Sequence, residues 1–302
     1  MRYHDPVLLD QAIEGLNIAS DGTYVDVTFG GGGHSKEILK RLETGRLIAF
    51  DKDADAVRNS IIQDRDQFQF QLVTQDFKQM GNWLEQNNIG AIDGVLADLG
   101  ISSHQIDSPE RGFSIRYNSD LDMRMNTMEA LRAMDVVNDY PESELARIFA
   151  EYGELRGSYK MARLIVSARV IKRIEKVDDL KLTIKSVTPK TGENKFLAKV
   201  FQALRIAVND ELSALKQLLQ TSGEVMKSGA RLVIISYHSL EDRLVKYYIE
   251  RGGFDAEMVK DLYGNPQLIF KSINKKPIMA DAEEVARNRR ARSAKMRIAE
   301  KI

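Results

Sequence analysis

Four consecutive glycines follow an apolar run and lead into a segment of helical character. The run ends in Val27-Thr28-Phe29, and Gly30–Gly33 are followed by His34 and Ser35. Glycine lets the backbone adopt positive φ and approach a ligand with no Cβ in the way. The first amides of a helix offer unpaired donors and a positive dipole end. Strand, glycine loop and helix in this order indicate a nucleoside-binding site.

An acidic residue follows the next apolar run. Leu47–Phe50 ends in Asp51, about twenty residues after the loop, where a carboxylate can accept both ribose hydroxyls. A dinucleotide fingerprint needs a third glycine, and that position is Ser35. S-adenosylmethionine (SAM) has no pyrophosphate and uses a looser glycine loop, so the sequence favours SAM. A nicotinamide-dependent oxidoreductase, which shares the loop and the acidic residue, is the alternative.

Two further positions are expected at the same crevice, because the carboxyl ends of parallel strands meet at one edge of a sheet. Phe77 follows the third apolar run and is placed to stack on the adenine or to read its edge through the backbone. Asp98 ends the fourth run.

Three of the four histidines also follow predicted strands. His34 closes the glycine loop, His104 lies beyond Asp98, and His238 lies beyond the fifth strand, so the three are candidates for one cleft. His4 is interpreted as a structural residue. No His-x-His or His-x-x-x-His spacing is present, so no metal site is predicted.

The elements that must position these residues alternate between strands and helices in the first hundred residues, which predicts βαβ units and a parallel sheet. A block of helices occupies about 107–199, and strand signals then return. The expected fold is α/β, with a seven-stranded Rossmann-like sheet interrupted by an all-helical insertion. The predicted strands are Thr23–Phe29, Arg46–Phe50, Phe70–Thr74, Ile92–Asp98, Arg231–Ser236, Leu268–Ile273 and Ala294–Ala299.

One long helix is predicted after the insertion. Its apolar residues recur at helical spacing, and it is expected to end near Gly223 or Gly229. These residues are Phe201, Leu204, Val208, Leu212, Leu215 and Leu219.

Charge is balanced in total but not along the chain. The 302 residues include 44 basic and 44 acidic side chains. Residues 1–100 carry nine basic and sixteen acidic side chains, net −7, whereas 156–199 carry twelve and four, net +8. Residues 287–297 add six basic side chains and no acid. A basic face of this kind fits a polyanion, because each neutralised phosphate releases counterions.

Composition excludes several classes. Without cysteine there is no disulfide framework, Cys-ligated zinc or Cys nucleophile. No apolar run has the roughly 18 to 20 residues that cross a bilayer, so no membrane partner is expected. The N-terminal residues lack the apolar core of a signal peptide, which favours the cytoplasm.

Seven ordered motifs resemble one family across essentially the whole chain. It is the bacterial 16S rRNA cytosine-N4 methyltransferase family RsmH, formerly MraW. The motifs are His4-x-Pro6-Val7-Leu8-Leu9, Thr28-Phe29-Gly30-x-Gly32-Gly33-His34-Ser35, Asp98-Leu99-Gly100-x-Ser102-Ser103, Glu110-Arg111-Gly112-Phe113-Ser114, Leu121-Asp122-Met123-Arg124-Met125, Phe201-Gln202-Ala203-Leu204-Arg205-Ile206-x-Val208-Asn209 and Ser236-x-His238-Ser239-Leu240-Glu241-Asp242.

The resemblance implies a class I SAM-dependent methyltransferase acting on N4 of a cytosine, position 1402 of 16S rRNA, in the decoding region of the small subunit. The domains expected are 1–106 and 200–302 for the methyltransferase, the latter with a basic tail, and 107–199 for helical substrate recognition. The residues assigned to SAM are Gly32, Gly33, His34, Asp51, Phe77, Asp98 and Gln105. Those assigned to RNA are Arg124, Arg156, Lys160, Arg205, Asn209, Arg290 and Arg292.

Two positions depart from the family pattern, Leu155 and Ala207. Both lie outside the cofactor loop, so they concern the insertion or RNA contact.

For catalysis, the Asp/Asn-Pro-Pro-aromatic motif of many amino-methyltransferases is absent after the fourth strand. The hypothesis is that Asp98 or a nearby carbonyl accepts from the N4 amine, while His238 with Ser236 orients the base. Asp98 serving only SAM binding is an equal alternative.

The expected partner is 16S rRNA within the assembled 30S subunit, although naked rRNA and a homodimer both remain open. A ribosome-assembly factor with a vestigial SAM pocket is the rival from another class. The complete glycine loop and Asp51 argue against it.

Overall fold

Short runs of branched and aromatic residues form seven strands of one sheet in the computed structural model, which describes residues 6–54, 56 and 68–302. The strands are β1 (Thr23–Asp26), β2 (Arg46–Phe50), β3 (Phe70–Val73), β4 (Ile92–Asp98), β5 (Met226–Ser236), β6 (Phe270–Ser272) and β7 (Lys295–Lys301).

The strand order is β3-β2-β1-β4-β5-β7-β6. Strands β1 to β5 pair in parallel, and β7 runs antiparallel to both β5 and β6. This arrangement confirms the predicted α/β fold with one seven-stranded sheet. The order reverses between β1 and β4, and the crevice outside the carboxyl ends of the strands at such a point is where ligands bind in open α/β sheets.

The chain divides into two units. The sheet unit is Met1–Gly100 with Leu212–Ile302, and the helical unit is Ile101–Glu211. Each has its own buried apolar core. The helical unit extends beyond the expected 107–199 at both ends: Ile101 packs against the helical core, and the helix that ends at Asn209 buries Val200, Phe201 and Leu204 in it.

Helices cover both faces of the sheet. Val25, Val95 and Ile234 point to one face, while Leu47 and Val233 point to the other. Burial on both sides explains why these strands read as continuous apolar runs. Among the described residues, the helices of the sheet unit are α1 (Leu9–Leu16), α2 (Gly33–Arg41), α3 (Met80–Gln86), α10 (Glu211–Val225, which begins at the boundary), α11 (Ser239–Arg251) and α12 (Ala282–Arg287).

The helical unit contains α4 (Ser103–Asp107), α5 (Ala133–Asp139), α6 (Glu142–Glu151), α7 (Ser158–Ile171), α8 (Val177–Ile184) and α9 (Glu193–Asn209). Helix α6 carries the predicted apolar stripe, and Leu145, Ile148 and Phe149 are fully buried. In the part of the chain that the structure describes, no helix is both long and apolar enough to cross a membrane.

The single long helix predicted through Leu219 is wrong. Helix α9 ends at Asn209 and α10 begins at Glu211, because Asp210 adopts a left-handed conformation with φ of 49°. The apolar spacing continues across the break, so the pattern gives no sign of it. Strand β5 is also longer than predicted and begins at Met226.

Candidate active site

The glycine loop joins β1 to α2. Gly30 and Gly32 have φ of 53° and 74°, a region that favours glycine. A Cβ on Gly33 would lie 2.9 Å from the ring of Pro6. Gly32 caps α2, so the first amides of this helix begin in the loop. The predicted turn is confirmed, and its glycines are required by backbone conformation and by close packing.

Asp51 lies at the carboxyl end of β2, beside the loop. Its Oδ2 accepts the N–H of Gly30 at 2.7 Å, and its Oδ1 accepts the N–H of Asp53 at 2.8 Å. Burial raises the pKa of this carboxyl to about 6. A carboxylate has further lone pairs, so Asp51 can hold the loop and still accept hydroxyl donors.

Asp26, at the end of β1, is a site residue that the sequence reasoning missed. It is fully buried, its Oδ2 accepts the hydroxyl of Ser35 at 2.6 Å, and its Oδ1 accepts the N–H of Thr28 at 3.1 Å. Burial raises the pKa of Asp26 to about 6. An acidic residue inside an apolar strand, directly before a glycine loop, was the available signal.

Asp98 lies at the end of β4. Its backbone N–H donates to Thr28 Oγ1 at 2.6 Å, which ties β4 to the glycine loop. Its Oδ1 accepts the hydroxyl of Tyr237 at 2.7 Å, and its Oδ2 lies 3.9 Å from His34 Nδ1. Burial raises the pKa of Asp98 to about 6, although His34 and the Tyr237 hydroxyl act in the opposite direction.

His34 is buried in the first turn of α2. Its Nε2 lies 3.0 Å from the carbonyl oxygen of Val7. A carbonyl can only accept, so Nε2 carries a hydrogen and Nδ1 faces Asp98. His34 therefore supports the carboxylate at the end of β4.

Phe77 begins the short 3-10 helix Phe77–Gln79 that follows β3, where the sequence predicted it. Its ring is partly buried against the core of the sheet unit. Asp76 caps this turn by accepting the N–H of Lys78 at 2.9 Å, and it pairs with Lys52 Nζ at 3.4 Å. The structure therefore places Phe77 on the same sheet edge as Asp51.

His238 is held by contacts within the fold. It caps α11, with Nδ1 accepting the N–H of Glu241 at 3.4 Å, and Glu241 Oε2 accepts the N–H groups of Tyr237 and His238 at 2.9 and 3.3 Å. Its Nε2 lies 3.2 Å from Glu241 Oε1. Ser236 donates its hydroxyl to the carbonyl of Lys295, in the neighbouring strand. Ser236 and His238 thus both have roles within the fold, and their expected part in orienting the base stays a prediction.

Gln105 and His104 belong to the helical unit. Gln105 lies in the first turn of α4, where its side chain accepts the N–H of Ser102 at 3.1 Å and its own N–H donates to Ser102 Oγ at 3.2 Å. The Gln105 side chain is thus part of a capping box with Ser102 at the start of α4. Its assignment to SAM stays a prediction. His4 lies outside the described residues.

Three residues assigned to RNA contact are engaged inside the helical unit. Arg124 donates to both carboxylate oxygens of Asp122 and to the carbonyls of Thr127 and Glu129. Arg205 forms two hydrogen bonds with Glu211, at 2.9 and 3.0 Å.

Asn209, the third of these residues, accepts the N–H of Met125 and donates to the carbonyl of Met123. Together these contacts hold the 122–129 loop and join α9 to α10, which gives all three residues a structural role, and their assignment to RNA stays a prediction.

The other cations assigned to RNA contact are, for the most part, exposed to solvent. Arg156, Lys160 and Arg292 are exposed, and Arg290 is half-buried. Within the rest of the basic segment, Arg169 donates to the carbonyl of Val137 at 2.8 Å. Leu155 and Ala207, the departures from the family pattern, are partly buried against the helical core.

Three carboxylates thus end the adjacent strands β1, β2 and β4 around the glycine loop. Each has a pKa raised by burial, and Asp26 raises the pKa values of the other two by Coulomb repulsion. A bound cation would stabilise their ionised forms, whereas a pyrophosphate would be repelled. This edge of the sheet fits a nucleoside that carries positive charge and no phosphate, which is the chemistry of SAM.

Comparison with known proteins agrees with this chemistry. A family model described as the MraW methylase family matches residues 1–302. The Ribosomal RNA small subunit methyltransferase H of Flavobacterium johnsoniae is 51% identical over 303 residues, 100% of this chain and 99% of that protein. The protein of the same name from Cytophaga hutchinsonii is 52% identical over 299 residues, 99% of each chain. Among solved structures, an rRNA methylase from Streptococcus thermophilus aligns over 97% of this chain and 93% of its own, at 10% identity and a TM-score of 0.39.

Proposed function

Because this chain belongs to the MraW methylase family, we infer that it transfers a methyl group from SAM to the N4 amine of a cytosine in small-subunit ribosomal RNA. The position we propose is the one that the sequence resemblance implies, in the decoding region. Such a substrate would place the protein in the cytoplasm.

The observation that carries the proposal is the set of three carboxylates around the glycine loop: Asp26, which is fully buried, and Asp51 and Asp98, which are partly buried. In SAM the reactive sulfur is a sulfonium cation, and the group supplies an electrophilic methyl. Carboxylates in a poorly solvated crevice attract such a cation far more strongly than they would in water.

The cofactor would be held at the carboxyl ends of β1 to β4. Asp51 would accept the ribose hydroxyls, and Phe77 would contact the adenine. Gly32 and Gly33 would leave room for the methionine part beside the first turn of α2. His34 would support Asp98 from the same turn, and Gln105 remains assigned to the cofactor by resemblance.

The chemistry at the amine needs an acceptor more than a strong base. The lone pair of a cytosine amine is delocalised into the ring, so a carboxylate that accepts one N4 hydrogen returns electron density to nitrogen. We assign this acceptor to Asp98 Oδ2, because Oδ1 already accepts from Tyr237. The C–S bond would break as the C–N bond forms, leaving S-adenosylhomocysteine, and the methylated amine, which is cationic and therefore acidic, would then lose its proton to water.

Placement contributes the remaining acceleration. Holding an amine in line with a methyl group at near-attack distance converts a bimolecular reaction into an effectively unimolecular one. A stacked cytosine cannot enter a closed crevice, so the target must be unpaired or flipped out.

The RNA would be bound by the exposed cations Arg156, Lys160 and Arg292, and the half-buried Arg290 is a further candidate. Phosphate contacts fix register and orientation, and the target base enters the crevice. We propose the assembled 30S subunit as the substrate.

Transfer of labelled methyl from SAM to small subunits tests the proposal. The subunits come from a bacterial strain that lacks its own enzyme, and naked 16S rRNA is assayed in parallel. We expect label on one cytosine of the subunit, located by mass mapping, and none with Asp98→Ala. Label on another nucleotide type, or binding of NAD in preference to SAM in calorimetry, would overturn the proposal.

Two parts of the proposal have separate readouts. Equal labelling of naked rRNA would remove the assembled subunit as the required substrate. Light scattering of the free protein decides whether it forms the homodimer that the sequence leaves open.

A further inference from the structure

Tyr237 donates its hydroxyl to Asp98 Oδ1 at 2.7 Å, and the two residues are 139 positions apart in the sequence. Tyr237 follows the last residue of β5, and the adjacent strand β4 ends at Asp98. The two strand ends therefore bring a phenol against a partly buried carboxylate at the crevice.

We propose that Tyr237 is a positioning residue for methyl transfer: its hydroxyl fixes the Asp98 carboxylate in one orientation and favours its ionised form. The inference rests on the proposed function, in which Asp98 accepts from the amine. A hydroxyl that donates to a carboxylate stabilises the charged form and occupies one of its two oxygens. Oδ2 is then the oxygen left for the substrate.

Several other charged or titratable groups also act on the ionisation of Asp98. His34 lies near Oδ2 from α2, and the carboxyls of Asp26 on β1 and Glu241 on α11 repel the charge of Asp98. Two carboxylates thus oppose ionisation of Asp98, and the cation of a protonated His34 and the Tyr237 hydroxyl support it. The donor capacity of the hydroxyl, unlike the charge of a histidine, does not change between pH 5 and 8, because burial and Asp98 raise the pKa of Tyr237 well above its ordinary value.

Tyr237→Phe removes the hydroxyl and keeps the ring. Tyr24→Phe is the matched control, because Tyr24 lies in the same sheet unit and its hydroxyl accepts the N–H of Ala19 at 2.8 Å. Both variants lose one part-buried hydrogen bond, but among the described residues the hydroxyl of Tyr24 bonds Ala19 and not Asp98.

The first readout is the acid limb of kcat against pH. Loss of the hydroxyl should move its midpoint upward by about one pH unit in Tyr237→Phe, from the strength of a hydrogen bond to a charged group. Tyr24→Phe should keep the wild-type midpoint. The same midpoint in wild type and Tyr237→Phe would overturn the proposal.

The second readout needs neither cofactor nor RNA. If the hydroxyl stabilises ionised Asp98, the native state of Tyr237→Phe binds a proton more tightly than the wild type, so its deficit in Tm grows as pH rises from 5 to 8. In an Asp98→Asn background that growth should vanish, and for Tyr24→Phe the deficit should stay constant. A constant deficit for Tyr237→Phe would overturn the proposal even if the enzyme is active. If the wild type transfers no methyl, the proposed function fails, and the Tm series still decides the Tyr237–Asp98 coupling.

Discussion

The carboxylate of Asp51 accepts a hydrogen bond from the amide of Gly30 at 2.7 Å. The residue assigned to the ribose therefore also fixes the first glycine of the loop, so the two halves of the nucleoside site are one hydrogen-bonded structure. Cofactor affinity should depend on this pair as a unit.

Asp51→Asn should weaken SAM binding by roughly 10- to 100-fold, because one charge-assisted acceptor is lost from both the loop and the ribose. Calorimetry measures the change. The variant should not lose stability above pH 6: burial raises the pKa of Asp51 from 3.8 to about 6, so its ionisation costs the native state stability as pH rises through that window. SAM affinity equal to wild type would remove Asp51 from the site.

SAM affinity should fall below pH 6 more steeply than the affinity for S-adenosylhomocysteine. Asp26, Asp51 and Asp98 have pKa values of about 6, so acid neutralises the carboxylates that attract the sulfonium. The homocysteine product has a neutral sulfur and loses only hydrogen bonds. Dissociation constants of both ligands at pH 5 and pH 8 give the comparison, and parallel pH curves would contradict an electrostatic role for the three carboxylates.

His238→Ser should retain both fold and turnover, since serine is a good helix cap. His238→Ala should lower the stability by about 1 kcal/mol through loss of the cap. Thermal unfolding and single-turnover kinetics on both variants separate the two roles. If His238→Ser folds normally but loses turnover, His238 is a base-orienting residue, as the sequence predicts.

Substituting Arg156, Lys160 or Arg292 by alanine should weaken RNA binding. The slope of log K against log salt should become shallower by about 0.7 to 0.9 for each phosphate that the variant no longer neutralises. Arg41, which is exposed on α2, supplies the control variant and should leave the slope unchanged. Binding is measured by filter retention from low to moderate salt. A flat salt dependence of the wild type would contradict a phosphate footprint.

Arg205→Ala should destabilise the protein without changing that slope. The Arg205 and Glu211 side chains are only 13% and 9% exposed, and removing one partner of a buried pair costs about 3 to 5 kcal/mol. The double variant Arg205→Ala/Glu211→Ala should recover part of the lost stability, because it leaves no unpaired charge. A stable Arg205→Ala variant with a reduced salt slope would return the residue to the RNA surface.

The parts of this molecule that could be predicted are those determined by short, continuous stretches of sequence. An apolar run followed by glycines predicts a strand and a loop, and Asp51 and Asp98 follow their strands at positions that any open α/β sheet directs to one edge. The seven-stranded sheet followed from the same alternation and from the strand signals that return after the helical block.

The parts that could not be predicted depend on partners distant in sequence or on a single dihedral angle. The Tyr237–Asp98 bond needs the adjacency of β4 and β5. From the sequence, Asn209 is a polar motif residue that could bind either RNA or backbone groups, and only the structure shows that it donates to the carbonyl of Met123. Asp210 breaks a helix whose apolar spacing runs on unchanged.

Strand β7 has a consequence for how the protein is made. It lies between β5 and β6, yet it is supplied only from Lys295 onward. A nascent chain that has emerged as far as residue 290 therefore has its helical unit complete, because 101–211 contains a core of its own, while its sheet lacks an interior strand. During synthesis the helical unit should therefore fold before the sheet unit is complete. The sheet should form its full set of strands only in a late step, and any truncation before Lys295 should prevent that step.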